Sequence, residues 1–206
     1  MPRTDPLYST VHRTPVGALT LIASDRGLRT ILWENTTALQ AGITTPPKRS
    51  ANHPILRQTA TQMDEYFAGT RTAFDIPLDL EGTRFQLAAW HALAEIPFGA
   101  TTTYGKQARA IGVPTAARAI GAANGANPVC IVLPCHRVIG ANGSLTGFGG
   151  GLAIKQWLLD HEARVAATHS TSSPRLRGEG QGEGPATVEG WPSRHPTQQR
   201  LSMPVA

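Results

Sequence analysis

The hydrophobic pattern changes its period near residue 81, and this change limits the chain to a fold in which sheet and helices are segregated. Before it, Gly17-Ala-Leu-Thr-Leu-Ile-Ala-Ser-Asp-Arg-Gly27 and then Leu28 to Trp33 read as two strands around an Asp-Arg-Gly turn, with Gly27 expected at positive φ. Residues 37–54, rich in Thr, Pro, Ala and Ser, read as a loop. The spacing then predicts a helix over 55–67 with Ile55, Thr59, Met63, Tyr66 and Phe67 inward, stopped by Gly69. Phe74, Ile76 and Leu78 alternate as a strand, which Pro77 confines to an edge or an end. The fold class is therefore α+β, opening with a small N-terminal sheet and helix domain over residues 1–81.

After Gly82 the period is helical. Thr83 and Gln86 have capping-box spacing, and Phe85, Ala89, Trp90, Leu93 and Ile96 recur at helical intervals before Pro97. Two short helices, 104–111 and 115–124, flank Gly112-Val-Pro114 in the layout of a helix-turn-helix, a layout also common in helical proteins that bind no DNA. A last helix over 152–163 would turn Leu152, Trp157, Leu158 and His161 inward. A mainly helical domain over 82–165 follows. From Ala166 the chain is dominated by Ser, Thr, Pro and Gly, including Gly178-Glu-Gly-Gln-Gly-Glu-Gly184, and a disordered tail over 166–206 is expected.

Several classes are excluded by what the chain lacks. No run approaches the roughly 18 apolar residues that span a bilayer, and Met1 to Thr10 contains no continuous apolar stretch of the kind that opens a secretory signal. A cytoplasmic location is expected, and the two cysteines, Cys130 and Cys135, suit a reducing compartment. Two thiols without clustered histidines do not make an ordinary structural zinc site, so neither a metal nor a cofactor is expected. Residues 82–165 carry 7 basic and 3 acidic side chains, whereas residues 1–81 carry 8 of each. This local excess would suit a polyanion such as DNA, but on charge alone ordinary solubility is the plainer reading.

The sharpest chemical signal is Pro134-Cys-His-Arg-Val138, placed after the apolar run Val129 to Leu133 and before a glycine-rich loop. A thiol is nucleophilic only as thiolate, and a tight turn after Pro134 could bring the His136 imidazole to Cys135 directly or through a water. A buried cysteine beside a surface histidine is the plainer reading of such a pair taken alone. Cys130, inside the apolar run, reads as core.

The order of features from Phe85 to Glu162 resembles that of the O6-alkylguanine-DNA alkyltransferases. Phe98-Gly99 precedes Thr103-Tyr104-Gly105, Ala116-Ala-Arg-Ala-Ile120 and Asn124-Gly-Ala-Asn-Pro128. Then come the Pro-Cys-His-Arg-Val segment, Gly147-Phe-Gly-Gly-Gly151 and Lys155-Gln-Trp-Leu-Leu-Asp-His-Glu162. The resemblance implies a winged-helix-like catalytic domain that moves an alkyl group from guanine O6 in double-stranded DNA, and also from O4-alkylthymine, onto Cys135 in a single turnover. It implies that His136 activates the thiol through a water, that Glu162 orients the imidazole, that Asn127 fixes the turn and that Tyr104 gives a proton to guanine N3. Reaching O6 requires flipping the nucleotide. Arg118 would be the wedge, on a helix that enters the minor groove with Thr115, Ala116, Ala117 and Asn124, and the protein would act as a monomer. Two departures stand out: Phe148 where some relatives have Tyr, and no zinc-binding cysteines in the first domain.

Two other readings compete. A non-catalytic binder of alkylated DNA would lack the nucleophile that Cys135 supplies. A helix-turn-helix regulator switched by a Cys130–Cys135 redox pair leaves Tyr104, Arg118 and Glu162 without a role.

Overall fold

The computed structural model describes residues 5–171. The expected hairpin forms as β2 (Gly17–Ser24) and β3 (Gly27–Trp33), and β1 (Tyr8–Thr14) pairs antiparallel with β2 from Tyr8 opposite Ala23 to Thr14 opposite Gly17. β4 (Lys48–Arg49) lies inside the segment read as loop and adds two parallel residues to β1, giving the order β3-β2-β1-β4. α1 (Pro54–Phe67) packs across this sheet through Leu56, Thr59, Gln62, Met63 and Tyr66, and Gly69, at φ +77°, follows its end. The buried face is rotated from the expected one, leaving Ile55 and Phe67 only partly covered.

Two local expectations are corrected. Gly27 is not at positive φ; it is required because a Cβ there would lie 2.5 Å from the Pro77 carbonyl oxygen. Residues 74–78 form no strand: among the described residues their one ladder contact is a bridge between Leu28 and Leu78, held by Leu28 N–H to Pro77 O (2.8 Å) and Asp79 N–H to Leu28 O (2.9 Å). Pro77 lacks the N–H that an extended ladder would need.

The second half contains α2 (Arg84–Ala94), β5 (Thr102–Thr103), α3 (Tyr104–Ala110), α4 (Ala117–Gly125), β6 (Val138–Ile139) and α5 (Leu152–Thr171). The capping box at Thr83 and Gln86 is made in both directions. Small side chains at Ala89, Ala108 and Ala123 let α2, α3 and α4 approach closely around Ile120, and the Trp90 indole donates to Ala123 O at 2.7 Å. β5 and β6 pair in parallel and bring the start of α3 beside the segment after Arg137. α5 departs from expectation at both ends. Leu152 is exposed, the inward face being Lys155, Leu158, His161 and Glu162, and the helix continues through Ala166 to Thr171. The remainder of the segment read as a disordered tail lies outside the described residues.

One hydrophobic core crosses from the sheet to the helices, joining Leu21, Ile31, Trp33 and Tyr66 to Leu93, Cys130, Cys135 and Leu158. The sheet edge also holds the second half by hydrogen bonds: Ile31 N–H (2.8 Å) and Thr30 Oγ1 (2.9 Å) both donate to Pro128 O. Pro128 begins the segment that leads to Cys135, so the N-terminal sheet fixes where that segment starts.

Candidate active site and DNA-facing surface

Residues 127–137 fold into a compact reversal because Asn127 bonds both limbs of it. Its amide nitrogen donates to Leu133 O (2.8 Å) and its amide oxygen accepts from Val129 N–H (3.1 Å). Leu133 N–H closes on Val129 O at 2.9 Å and Cys135 N–H on Leu133 O at 2.8 Å. Within the reversal Ile131 sits at φ +76°, a left-handed conformation that a β-branched residue adopts only under constraint. The chain then enters a single 3₁₀ turn, Cys135–Arg137, all three residues of which are buried.

Glu162, on α5, is the hub beneath that turn. Its Oε1 accepts from Tyr66 Oη (2.8 Å), His136 Nε2 (2.8 Å) and Arg137 Nη2 (3.0 Å), and its Oε2 from Arg137 Nε (2.9 Å) and Gly99 N–H (3.0 Å). Burial pushes the carboxyl up, but the hydrogen bonds and charges of His136 and Arg137 outweigh it and bring its pKa to about 2. The imidazole responds oppositely: burial pushes His136 below its ordinary value, and the pull of Glu162 in the other direction is offset by the charges of Arg137 and Lys155. A neutral ring facing an ionised carboxylate must donate from Nε2. His136 Nδ1 is therefore left as a lone pair, and this atom is buried without a hydrogen bond to any described residue.

The Cys135 sulfur meets the Cys130 sulfur at 4.0 Å, and Cys130 Sγ reaches Asn127 O at 3.5 Å. The hydrogen bond shared with Cys130 lowers the Cys135 pKa; burial opposes it, and Asn127 and the Lys155 charge add to the lowering. Cys130 is shifted the other way, by its hydrogen bond to Cys135 and by burial. Lys155 is fully buried, with its ammonium donating to Val138 O (2.7 Å) and Thr146 O (2.8 Å) and lying 6.0 Å from the Tyr104 ring centre. Tyr104 Oη donates to Thr146 O and accepts from Thr146 Oγ1, each at 3.1 Å. Phe148 stands edge-on to both Trp33 and His136, and Gly150 lies so close to Trp33 that a Cβ would meet its ring at 2.9 Å. Among the described residues no group of three or more His, Cys, Asp or Glu side chains is placed to hold a metal.

α3 and α4 form the expected helix pair. Thr115 and Arg118 are exposed at its outer end, Ala116 and Ala117 are partly exposed, and Gly121 faces the Tyr104 ring, where a Cβ would stand 3.8 Å away. Asn124 differs from the expectation that it faces DNA. It is buried, and its amide exchanges hydrogen bonds with Gln107 (2.8 and 3.2 Å), so it clamps α4 to α3.

Comparison with known proteins gives one family for both halves. The ribonuclease-like domain of 6-O-methylguanine DNA methyltransferase matches residues 7–80 and the DNA binding domain of the same protein matches residues 84–164. The chain belongs to this family. The methylated-DNA–protein-cysteine methyltransferase of Methanosarcina acetivorans is 44% identical over 156 residues, covering 76% of this chain and 98% of the relative. That of Mycolicibacterium paratuberculosis is 48% identical over 171 residues, covering 82% and 97%. The crystal structure of Mycobacterium tuberculosis OGT in complex with DNA matches with a TM-score of 0.70 and 42% identity over 77% of this chain and 93% of that one.

Within this methyltransferase family member, the structure brings Cys135, His136, Glu162 and Asn127 together, while Tyr104 lies beside α4 and above Lys155. Sequence reasoning gives no individual role to Lys155 or Arg137, places Tyr66 only on the inward face of a helix, and treats Cys130 as core or, in the competing regulator reading, as half of a redox pair. A signal for Lys155 was present: positions 155, 158 and 162 share one helix face, so a lysine there is buried together with Leu158 and Glu162. Tyr66, 96 residues from its partner Glu162, left no local trace.

Proposed function

We propose that this protein repairs DNA by taking the alkyl group of O6-alkylguanine onto the sulfur of Cys135, once per molecule. The observation that carries this reading is the acceptor turn itself: a thiol of lowered pKa, next in sequence to a neutral imidazole whose Nε2–H is committed to an ionised glutamate and whose Nδ1 has a free lone pair. His136 Nδ1 takes the thiol proton through one bridging water, and the sulfur attacks the alkyl carbon. The carbon–O6 bond breaks with its electron pair passing to guanine, and Tyr104 Oη supplies a proton to N3 of the leaving base. A thioether does not release its alkyl group, so the acceptor is consumed.

The target base is out of reach inside a duplex and must be flipped, with Arg118 filling the gap in the stack and the small residues Ala116 and Ala117, with Thr115, approaching the minor groove. The reading includes O4-alkylthymine as a second substrate, action as a monomer and a cytoplasmic location, which suits two free thiols. No described helix is long and apolar enough to cross a membrane.

The test is to incubate the full chain with duplex oligonucleotides carrying different O6-alkylguanines and to read the intact-protein mass. One alkyl group per molecule, mapped to Cys135 and absent in Cys135→Ala, is expected. An alkyl group mapped to Cys130, or more than one base repaired per molecule, overturns the proposal.

A further inference from the structure

We infer that Cys130 and Cys135 are a built pair of thiols that close into a reversible disulfide, a second modification of the acceptor sulfur that excludes alkyl transfer while it lasts. The two residues are five positions apart, yet the turns closed by Leu133 N–H to Val129 O and Cys135 N–H to Leu133 O bring their sulfurs to 4.0 Å. Both thiols are free and both side chains are nearly enclosed, at 6% and 5% exposure. A disulfide requires a separation of about 2.05 Å, so the sulfurs must approach by about 2 Å. Side-chain rotation supplies part of that movement. The reversal between them is already under constraint at Ile131, where relaxing φ from +76° can supply the rest.

The chemistry is that of a peroxidatic and a resolving thiol. A hydroperoxide is smaller than the flipped base that the proposed reaction admits to the same sulfur. The Cys135 thiolate attacks the peroxide, the O–O bond breaks, and Cys135 becomes a sulfenic acid while the peroxide is reduced to an alcohol or water. The Cys130 sulfur then attacks the Cys135 sulfur, and the hydroxyl leaves as water with the Cys130 proton. In all, two thiols and one hydroperoxide give one disulfide, one alcohol or water, and one further water. Two thiols elsewhere reverse it by exchange. The opposite pKa shifts of the partners suit this division, since Cys135 is the more readily ionised and Cys130 keeps its proton. For an acceptor that works once, a reversible stop at the disulfide prevents loss to the sulfinic acid, which ordinary thiols do not reduce.

The experiment uses the full chain with hydrogen peroxide and no DNA, so its outcome is independent of alkyl transfer. Expected are an intact-mass loss of two hydrogens, a peptide map linking Cys130 to Cys135, and recovery of both free thiols with dithiothreitol. Cys130→Ser keeps a small polar side chain at the site; under the same peroxide dose it is expected to accumulate sulfinic acid at Cys135 that dithiothreitol does not remove. Alkyl transfer, assayed afterwards, should return on reduction in the wild type and stay lost in Cys130→Ser. If wild-type Cys135 proceeds to sulfinic acid with no linked peptide, the inference is overturned, and this reading needs no variant to fold. Equal recovery of wild type and Cys130→Ser overturns the protective role.

Discussion

Replacing Glu162 with Gln preserves shape while removing one acceptor and the negative charge. The carboxylate accepts five hydrogen bonds, from Tyr66, Gly99, His136 and twice from Arg137, so an amide nitrogen in place of either oxygen points donor against donor. Arg137 is then a buried cation without its counter-charge, a situation that costs about 3–5 kcal/mol. With a urea m-value of about 2 kcal/mol/M, the unfolding midpoint should fall by about 1.5–2.5 M. Under conditions in which the variant is still folded, transfer from a duplex O6-methylguanine substrate near pH 7 should slow by about a hundredfold or more, the range lost with a general base. A double-mutant cycle with Arg137→Met separates charge from packing: with the stranded cation gone, the double variant should be less destabilised than the sum of the single ones by about 1–3 kcal/mol. A Glu162→Gln protein within 1 kcal/mol of wild type, with an unchanged transfer rate, would refute the assignment of Glu162 as the hub of the site.

The acid response follows from the same carboxylate. Its folded pKa of about 2 lies below the ordinary 4.5, so its stabilisation is fully present above the ordinary value and is lost as pH falls toward 2; the roughly 3 kcal/mol involved should appear in urea curves between pH 5 and pH 2.5 and be absent in Glu162→Gln. Lys155→Met removes the charge that favours the Cys135 thiolate, so the pH inflection of transfer should move upward, read against thiolate absorbance; an unmoved inflection removes Lys155 from thiol activation. Arg118→Ala should slow repair of duplex DNA more than reaction with the free alkylated base, and equal losses would end the wedge role. Truncation after Val165 should destabilise by about 1 kcal/mol relative to truncation after Thr171, because Ala166 packs against Gly99 beside Glu162; equal melting temperatures would contradict that contact.

Strong periodicity made some elements legible from residue types alone. The β2–β3 hairpin, the capped start of α2 and the α3–α4 pair all carry local signals, and each forms. β1 left no such signal because its one buried side chain is Ser9, so its place comes from pairing with β2 and not from its own alternation. The segment from Phe74 to Leu78 carried the signal but has no partner ladder beyond one bridge. Gly27 was correctly marked as special for an incorrect reason, since close backbone approach and positive φ look alike in sequence. In the site, the reversal at Asn127 and the Cys-His turn were readable as a segment. The Cys130–Cys135 pairing is raised by sequence only as a competing reading, because Cys130 in an apolar run looks like core; the turns after Val129 are what aim it at Cys135. Asn124 misled for the opposite reason, because a polar residue near a helix end looks available until its partner, Gln107 on α3, is known.

The reach of the Glu162 hub has a consequence for biosynthesis. Its partners lie 96, 63, 26 and 25 residues away in sequence, and the last of them to be synthesised is Glu162 itself. Until α5 has emerged from the ribosome and docked, His136 has no fixed tautomer, and Lys155, on the same helix, is not beside the thiol. A nascent chain therefore carries an ordinary cysteine of low nucleophilicity. Reactivity arrives as one of the final products of folding, and an acceptor that can be spent only once is a weaker nucleophile toward cellular electrophiles while the ribosome is still building it.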